Sequence, residues 1–295
     1  MFFVDVFERM DISDDARILI RLILMSILES ISYTRKDGQY LRWDYRSQKV
    51  IERNNIRQEQ GKQRIKKIDK GDLPSVKDAL VRAFRTVMVD IKHLQNALMN
   101  GESEQVLIDG STLEVLPTMP DNIYSAVITS PPYANRYDYT RTYALELAYL
   151  GIGDGIFNLR QRLLSCTVES RSKVEQLQGY YKSIGALDRF ENILRVVQNN
   201  KALQEVNRAL QIRWNNGDMN NKGVLPMIDQ YLTELTFVFG EIYRTCKSGA
   251  HVAFVNDNVR YGGEIVPIDT ITTNLAEELG FIPEKIYVLA QKKGN

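Results

Sequence analysis

The apolar positions of the 295-residue chain change their spacing near residue 104. Before that point they recur at helical intervals. Residues 12–32 predict a helix, with Ser13 as N-cap and Asp14 and Asp15 suited to the positive helix start. Leu73 to Asn100 predicts a second, entered through Pro74 and closed at Gly101. Beyond residue 104 short apolar runs alternate with turns. Gln105–Ile108 predicts a strand, Asp109–Ser111 a turn, and Thr112–Leu116 a short helical stretch. Pro120-Asp121-Asn122 turns the chain into an apolar, β-branched run from Tyr124, the composition of a buried central strand. Two short strands joined by a crossover containing a helix imply a parallel sheet with a right-handed connection. Tyr143–Leu150 reads as a helix, 151–223 as a polar helical insertion, and Leu225–Lys247 as a long helix ended by Ser248-Gly249. A buried strand His251–Val255, a turn-rich stretch 256–263, a helix Pro267–Leu279 with Gly280 at C′, and a strand Ile286–Ala290 complete the order.

Charge adds one feature to this pattern. The formal net charge is +1, so a nucleic-acid surface has to be a local patch. One basic stretch exists. Tyr33–Trp43 is a polar loop of aromatic and basic residues, and Arg46, Lys49, Arg53, Arg57, Lys62, Arg64, Lys66, Lys67 and Lys70 come after it. Such a run is a solvated face or mobile loop, or, with Tyr40, Trp43 and Tyr45 interleaved, a surface for phosphate contact and base stacking. Apolar content of 44% and charged content of 25% are those of a globular protein. The two cysteines, Cys166 and Cys246, form no CxxC and lack a histidine nearby. No disulfide framework and no metal are expected, and a reducing cytoplasm is the expected compartment. The longest apolar run, Ile18–Leu28, is broken by Arg21 and Ser26 and is too short to span a bilayer. No secretory signal is recognisable, so no membrane partner is expected. His93 lies on a predicted helix without a matching ligand and reads as an ordinary surface or core histidine.

The stretch that concentrates chemistry is Tyr124 to Tyr133. Its strand is stopped by Pro131 and Pro132, which have fixed φ and no N–H and cannot continue a ladder. They stiffen an extended turn just past the strand's carboxyl end, the edge where open α/β sheets bind ligands. Ser130 and Tyr133 are thereby presented on a rigid rim. Asp109 ends the preceding predicted strand, where a turn-making aspartate and a ligand contact are equally compatible.

Ser130-Pro131-Pro132-Tyr133 resembles motif IV of the DNA amino-methyltransferases, whose tetrapeptide is Asp/Asn/Ser-Pro-Pro-Tyr/Phe/Trp and whose serine form is most associated with N4-cytosine enzymes. The resemblance extends to the Asn135–Tyr139 segment and covers roughly 101–150 and 224–295; the Tyr33–Trp43 loop is similar less specifically. It implies an α/β fold, a partial Rossmann-like methyltransferase sheet with helices on both faces, plus a helical N-terminal region (1–100) and the helical insertion (151–223) as a candidate target-recognition segment. It implies S-adenosylmethionine as cofactor, with Asp109, Thr129 and Ser130 on the cofactor side, and double-stranded DNA with a flipped base as substrate. Ser130, Pro131, Pro132 and Tyr133 would be catalytic: the Ser130 hydroxyl and Pro131 carbonyl accept the two amine hydrogens, and Tyr133 stacks on the extruded base. Arg136, Tyr139, Arg141 and Arg260 are candidates for DNA contact, with Arg171, Lys173 and Lys182 behind them. Asn256, Asp257 and Arg260 line the pocket or form a turn. No Pro-Cys pair exists, which sets the chain apart from C5-cytosine enzymes.

One departure stands out. The family's Phe-x-Gly-x-Gly loop, whose glycines let the backbone approach the cofactor, is absent from 1–295. The chain therefore reads as a portion of a methyltransferase, half of a split enzyme whose companion chain supplies the glycine-rich loop, or a truncated product. N6-adenine or RNA amines as acceptors, and a non-catalytic DNA-binding remnant, are the alternatives.

Overall fold

A computed structural model of the protein describes residues 9–37, 40–98 and 104–289. They divide into two compact units, 1–107 with 138–156, and 108–137 with 157–295. The expected helix end at Asn100 and Gly101, and Ala290 of the last expected strand, lie outside the described residues.

The first unit starts with helix α1, Asp14–Ile31, where Ser13 caps the Ala16 N–H at 3.3 Å. Ile23, Leu24 and Ile27 are its buried face. Tyr33–Trp43, expected as a loop, contains an antiparallel hairpin of β1 (Thr34–Lys36) and β2 (Leu41–Trp43). Helix α2 (Gln48–Glu59) is capped by Ser47, and α3 (Val76–Leu98) packs against α1. Two short helices, Tyr139–Thr142 and Ala144–Tyr149, also belong to this unit. The mobile-loop reading of the basic stretch is set aside, because Asp44 is fully buried within it. Its carboxylate accepts from Arg46 Nε (2.8 Å), Arg46 Nη2 (3.0 Å) and the Lys70 N–H (2.8 Å).

The second unit is wrapped around one helix. In chain order it contributes β3 (Tyr124–Thr129), α4 (Val174–Ser183), α5 (Leu187–Asn199), α6 (Lys201–Asn215), α7 (Val224–Thr245), β4 (Cys246–Phe254), β5 (Val259–Tyr261), β6 (Glu264–Val266) and α8 (Ile268–Glu278). The stretch 151–223 is helical, as its composition indicates. Fourteen of the 22 residues of α7 are buried, more than an amphipathic stripe provides, so α7 is contacted on several sides. Phe237 meets Leu113, Leu177, Tyr181, Phe190 and Ile193 in one apolar cluster. Two carboxylates on this apolar helix are buried and paired. Glu234 accepts from Lys173 Nζ (2.8 Å), Ser165 Oγ (2.5 Å) and the Ser165 N–H (3.0 Å). Glu241 accepts from Tyr181 (2.8 Å) and Arg244 Nε (2.7 Å), and Arg189 Nε lies 3.1 Å away. Lys173 is therefore an internal counter-ion and not a DNA contact.

Strands β3 and β4 pair in parallel, with Val127 opposite Val252 and Thr129 opposite Phe254. The α7 helix ends at Thr245, two residues before Lys247, and Gly249 (φ +79°) lies inside β4 where the register shifts against β3. Gly249 thus serves a bulge and does not cap the helix. The sequence predicts β3 as a buried central strand, but it is covered on one face. Phe239 of α7 packs edge-on to Phe254 at 4.9 Å on that face, while Ile128 on the other is 85% exposed. Helices on both faces are thus not found for the described residues. The expected strands at Gln105–Ile108 and Ile286–Leu289 are not strands either. Leu107 and Val288 are 96% and 89% exposed, and a strand needs a ladder partner as well as an apolar run. The parallel neighbour of β3 is β4. Conversely, 256–263 contains half of the β5–β6 hairpin. Gly262 and Gly263 both have positive φ (+57° and +87°), the requirement of a two-residue turn whose twist matches the strands.

Candidate active site

Thr129 ends β3, and its carbonyl accepts from the Val255 N–H at 2.9 Å, extending the parallel ladder one step past β4. The proline pair then lifts the chain off the sheet. Two phenols hold the lifted loop. Tyr231, fully buried on α7, donates to the Pro132 carbonyl at 2.9 Å, and Asn256 Nδ2 donates to the same phenol oxygen at 2.7 Å. Tyr261 of β5 donates to the Ala134 carbonyl at 2.6 Å. Alternate carbonyls of the loop are thereby tied to a helix and a hairpin, which sets its conformation.

Between Thr129, held in the ladder, and Pro132 lie the groups that are left to act. Ser130 is exposed, and its Oγ is 3.4 Å from the Tyr133 hydroxyl. The Pro131 carbonyl accepts no hydrogen bond from the described residues. A hydroxyl and a free carbonyl on successive residues can receive the two hydrogens of a primary amine, and the neighbouring Tyr133 ring, half-buried, provides an apolar surface. Burial pushes the Tyr261 phenol up to about 12, so it remains a donor across the neutral range. Cys166 and Cys246 are both buried, and burial raises the Cys246 thiol.

Comparison with known proteins bears on the loop directly. The chain is 58% identical over 297 residues to the Type II methyltransferase M.BsoBI of Geobacillus stearothermophilus, covering all of this chain and 58% of that protein. It is 40% identical over 282 residues to the Type II methyltransferases M.AvaI of Nostoc sp. strain PCC 7120 and of Anabaena variabilis, covering 94% of this chain and 54% of each. The chain belongs to the family of these Type II methyltransferases. It spans just over half the length of the relatives it matches. No protein-family description and no solved structure matches it.

Within this methyltransferase relative, the second unit brings together Thr129, Ser130, Pro131, Pro132 and Tyr133. Arg136, half-buried with φ +66°, comes directly after the loop, and Arg260 is exposed on β5 beside Tyr261. Asp109 is exposed in the segment leading to Ser111 and does not end a strand. Tyr139 and Arg141 fall in the first unit, where Arg141 pairs with Asp138 at 3.0 Å and Tyr139 stacks on Tyr143. Arg171 lies over the Phe157 ring, and Lys182 is exposed on α4. Asn256, read from sequence as a pocket or turn residue, is engaged with Tyr231. Sequence reasoning alone misses Tyr231 and Tyr261. The available signal is a tyrosine amid the apolar run of α7, which needs a partner for its hydroxyl.

Among the described residues no glycine-rich loop stands where S-adenosylmethionine would need a backbone cradle. Their positive-φ glycines sit in turns, helix ends or the β4 bulge, and none comes after the carboxyl end of a parallel strand. A backbone cradle for the cofactor is therefore not formed by these residues.

Proposed function

We propose that this chain carries the acceptor half of a DNA amino-methyltransferase of a restriction-modification system, which presents an exocyclic base amine, N4 of cytosine, for methylation from S-adenosylmethionine. The observation that carries this reading is the fixed Ser130-Pro-Pro-Tyr133 loop, with Pro132 and Ala134 carbonyls occupied and the Pro131 carbonyl open among the described residues. The amine of cytosine is a poor nucleophile because its lone pair is delocalised into the ring. Hydrogen bonds from both N–H groups to Ser130 Oγ and the Pro131 carbonyl favour a pyramidal nitrogen and free that lone pair. Tyr133 stacks on the base, which must leave the duplex to reach the loop. The remaining contribution of the chain is positioning. The names of the relatives support a methyltransferase, and the serine of the tetrapeptide supports cytosine over adenine. The cofactor loop comes from a companion segment or chain, since the residues here do not form it.

The test is transfer of tritiated methyl from S-adenosylmethionine to duplex DNA, with this chain alone and with the product of any neighbouring reading frame that contains Phe-x-Gly-x-Gly. Transfer only in the presence of the companion is expected. Transfer by the isolated chain would refute the split reading. Mass spectrometry of the product nucleoside decides between N4-methylcytosine and N6-methyladenine. Absence of transfer in every combination leaves a DNA-binding remnant.

A further inference from the structure

Residues 33–71 hold twelve lysines and arginines against five aspartates and glutamates, a net +7 in a chain whose total is +1. The charge is not spread along a loose tail. Tyr45 N–H bonds the Ile68 carbonyl (2.9 Å), Ile65 N–H bonds Asn54 Oδ1 (2.9 Å), and Arg57 Nε bonds the Gln63 carbonyl (2.6 Å), so 62–70 runs back along β2 and α2. Lys70 Nζ ties the return to the end of α1 through the Glu29 and Ser32 carbonyls.

Two local rules are broken in this folded module, both in the same sense. Arg35 and Arg42 stand directly opposite one another on β1 and β2, both exposed, where like charges are unfavourable. Arg42 is relieved only in part by Asp37. Lys49, Arg53 and Arg57 repeat at i, i+4 and i+8 on α2, again like-charged neighbours on one face. Exposed Lys62, Arg64, Lys66 and Lys67 line the return. An anion that bridges these cations removes the repulsion.

The aromatic residues say which anion. Arg46 lies over Tyr33 (5.1 Å) and Tyr45 (5.4 Å), Lys67 over Tyr45 (4.3 Å), Lys49 over Trp43 (4.8 Å) and Arg42 over Tyr40 (5.0 Å). Each of these rings thus has a cation beside it, which helps to hold that cation in place. Cations held at fixed positions on a folded surface suit the phosphates of a duplex, contacted without reading its sequence. We propose that the cations of 33–37 and 40–71 form a phosphate-backbone contact of double-stranded DNA. This rests on the reading of the protein as a DNA-modifying one.

The experiment measures binding of the full chain to a fluorescent duplex of arbitrary sequence over a series of salt concentrations, without cofactor. The variants are K62Q/R64Q/K66Q, at exposed positions where Lys62 and Arg64 bond the side chains of Gln60 and Gln58, and K49Q/R53Q on α2. Each lost phosphate contact lowers the slope of log Kobs against log salt by about 0.9. Expected are slopes shallower by about 2–3 for the triple variant and about 2 for the double, with unchanged circular dichroism and weaker binding at low salt. Unchanged slopes in both folded variants overturn the proposal. So does tighter binding of single-stranded DNA that is lost in W43L/Y45L, or displacement of the duplex by polyglutamate at equal charge. Failure here and failure of the catalytic reading are separable. Duplex binding with the expected slope losses, without methyl transfer in any combination, upholds the contact surface and removes the catalytic reading. Methyl transfer with unaltered slopes does the reverse.

Discussion

The phenol of Tyr231, buried on α7, donates to the carbonyl of Pro132 in the loop after β3 at 2.9 Å. A helix that is otherwise occupied with the core thus sets the conformation of the candidate active loop. Tyr231→Phe removes one oxygen, leaves the Pro132 carbonyl and Asn256 Nδ2 without that partner, and keeps the ring packing. Loss of such a bond costs about 1–3 kcal/mol. The expected outcome in the complete methyltransferase is a kcat lowered about tenfold or more with cofactor KM little changed. Steady-state kinetics and a thermal melt of the variant check it. Unchanged kcat would show that the loop does not need this tie.

Ser130 is exposed and, among the described residues, its hydroxyl makes only one long bond, so its removal should not affect folding. Ser130→Ala is expected to keep the wild-type melting temperature and lower methyl transfer by about 10²-fold, the scale of one preorganised hydrogen bond to the reacting group. Ser130→Asn keeps an acceptor at the same place and should recover part of the rate. Equal loss in both variants would point to shape, not to hydrogen bonding.

Glu234 and Lys173 are a buried ion pair at 2.8 Å, with side chains 2% and 9% exposed. Burial pushes the Glu234 carboxyl up, and Lys173 and Ser165 oppose that shift. Removing one partner strands the other. Lys173→Met should destabilise the second unit by about 3–5 kcal/mol, and Lys173→Met/Glu234→Leu should recover much of it. Urea denaturation of the single and double variants measures both. A double variant no more stable than the single one would argue against a stranded charge.

Asp44 sets an acid limit on the first unit. Its bonds from Arg46 hold the carboxyl well below the usual carboxylate range, against the opposing effect of burial. A depressed carboxyl contributes its stability in full above the unfolded value of 3.8, and that contribution is lost as the pH falls from there towards the folded value. Trp43 and Trp214 are the two tryptophans, so Trp214→Phe leaves Trp43, beside Asp44, as reporter. Its fluorescence midpoint in urea should fall steadily below about pH 4 and be much less pH-dependent in Asp44→Asn, which should be less stable at neutral pH.

The features legible in the sequence are local. Ile128-Thr129 before a proline pair specify a strand and its abrupt end within a few residues, and Ser13 with two aspartates specifies a helix start. These features need no distant partner. The misses all do. Val106–Ile108 and Ile286–Leu289 have strand composition, but a ladder is a property of two segments. Gly262-Gly263 stands in the wrong place for a cofactor loop and reads as part of a turn-rich stretch, although a glycine pair between β-prone residues is also a hairpin turn. Tyr231 and Tyr261 become site residues only because folding brings α7 and β5 against the loop, over 99 and 127 residues of sequence. Lys173 shows the opposite error, since a lysine in a polar segment gives no sign that it will be internal.

The half-covered sheet has a bearing on handling the protein. Among the described residues β3 and β4 pair only with each other, leaving each strand one edge without a ladder partner there, beside a face on which Ile128 is exposed. Such an edge recruits whatever extended chain comes first. Produced by itself at high concentration, the chain should therefore form edge-to-edge oligomers and eventually cross-β aggregates. Co-expression with a segment that adds a strand would act as a folding chaperone before it acted as an enzyme subunit.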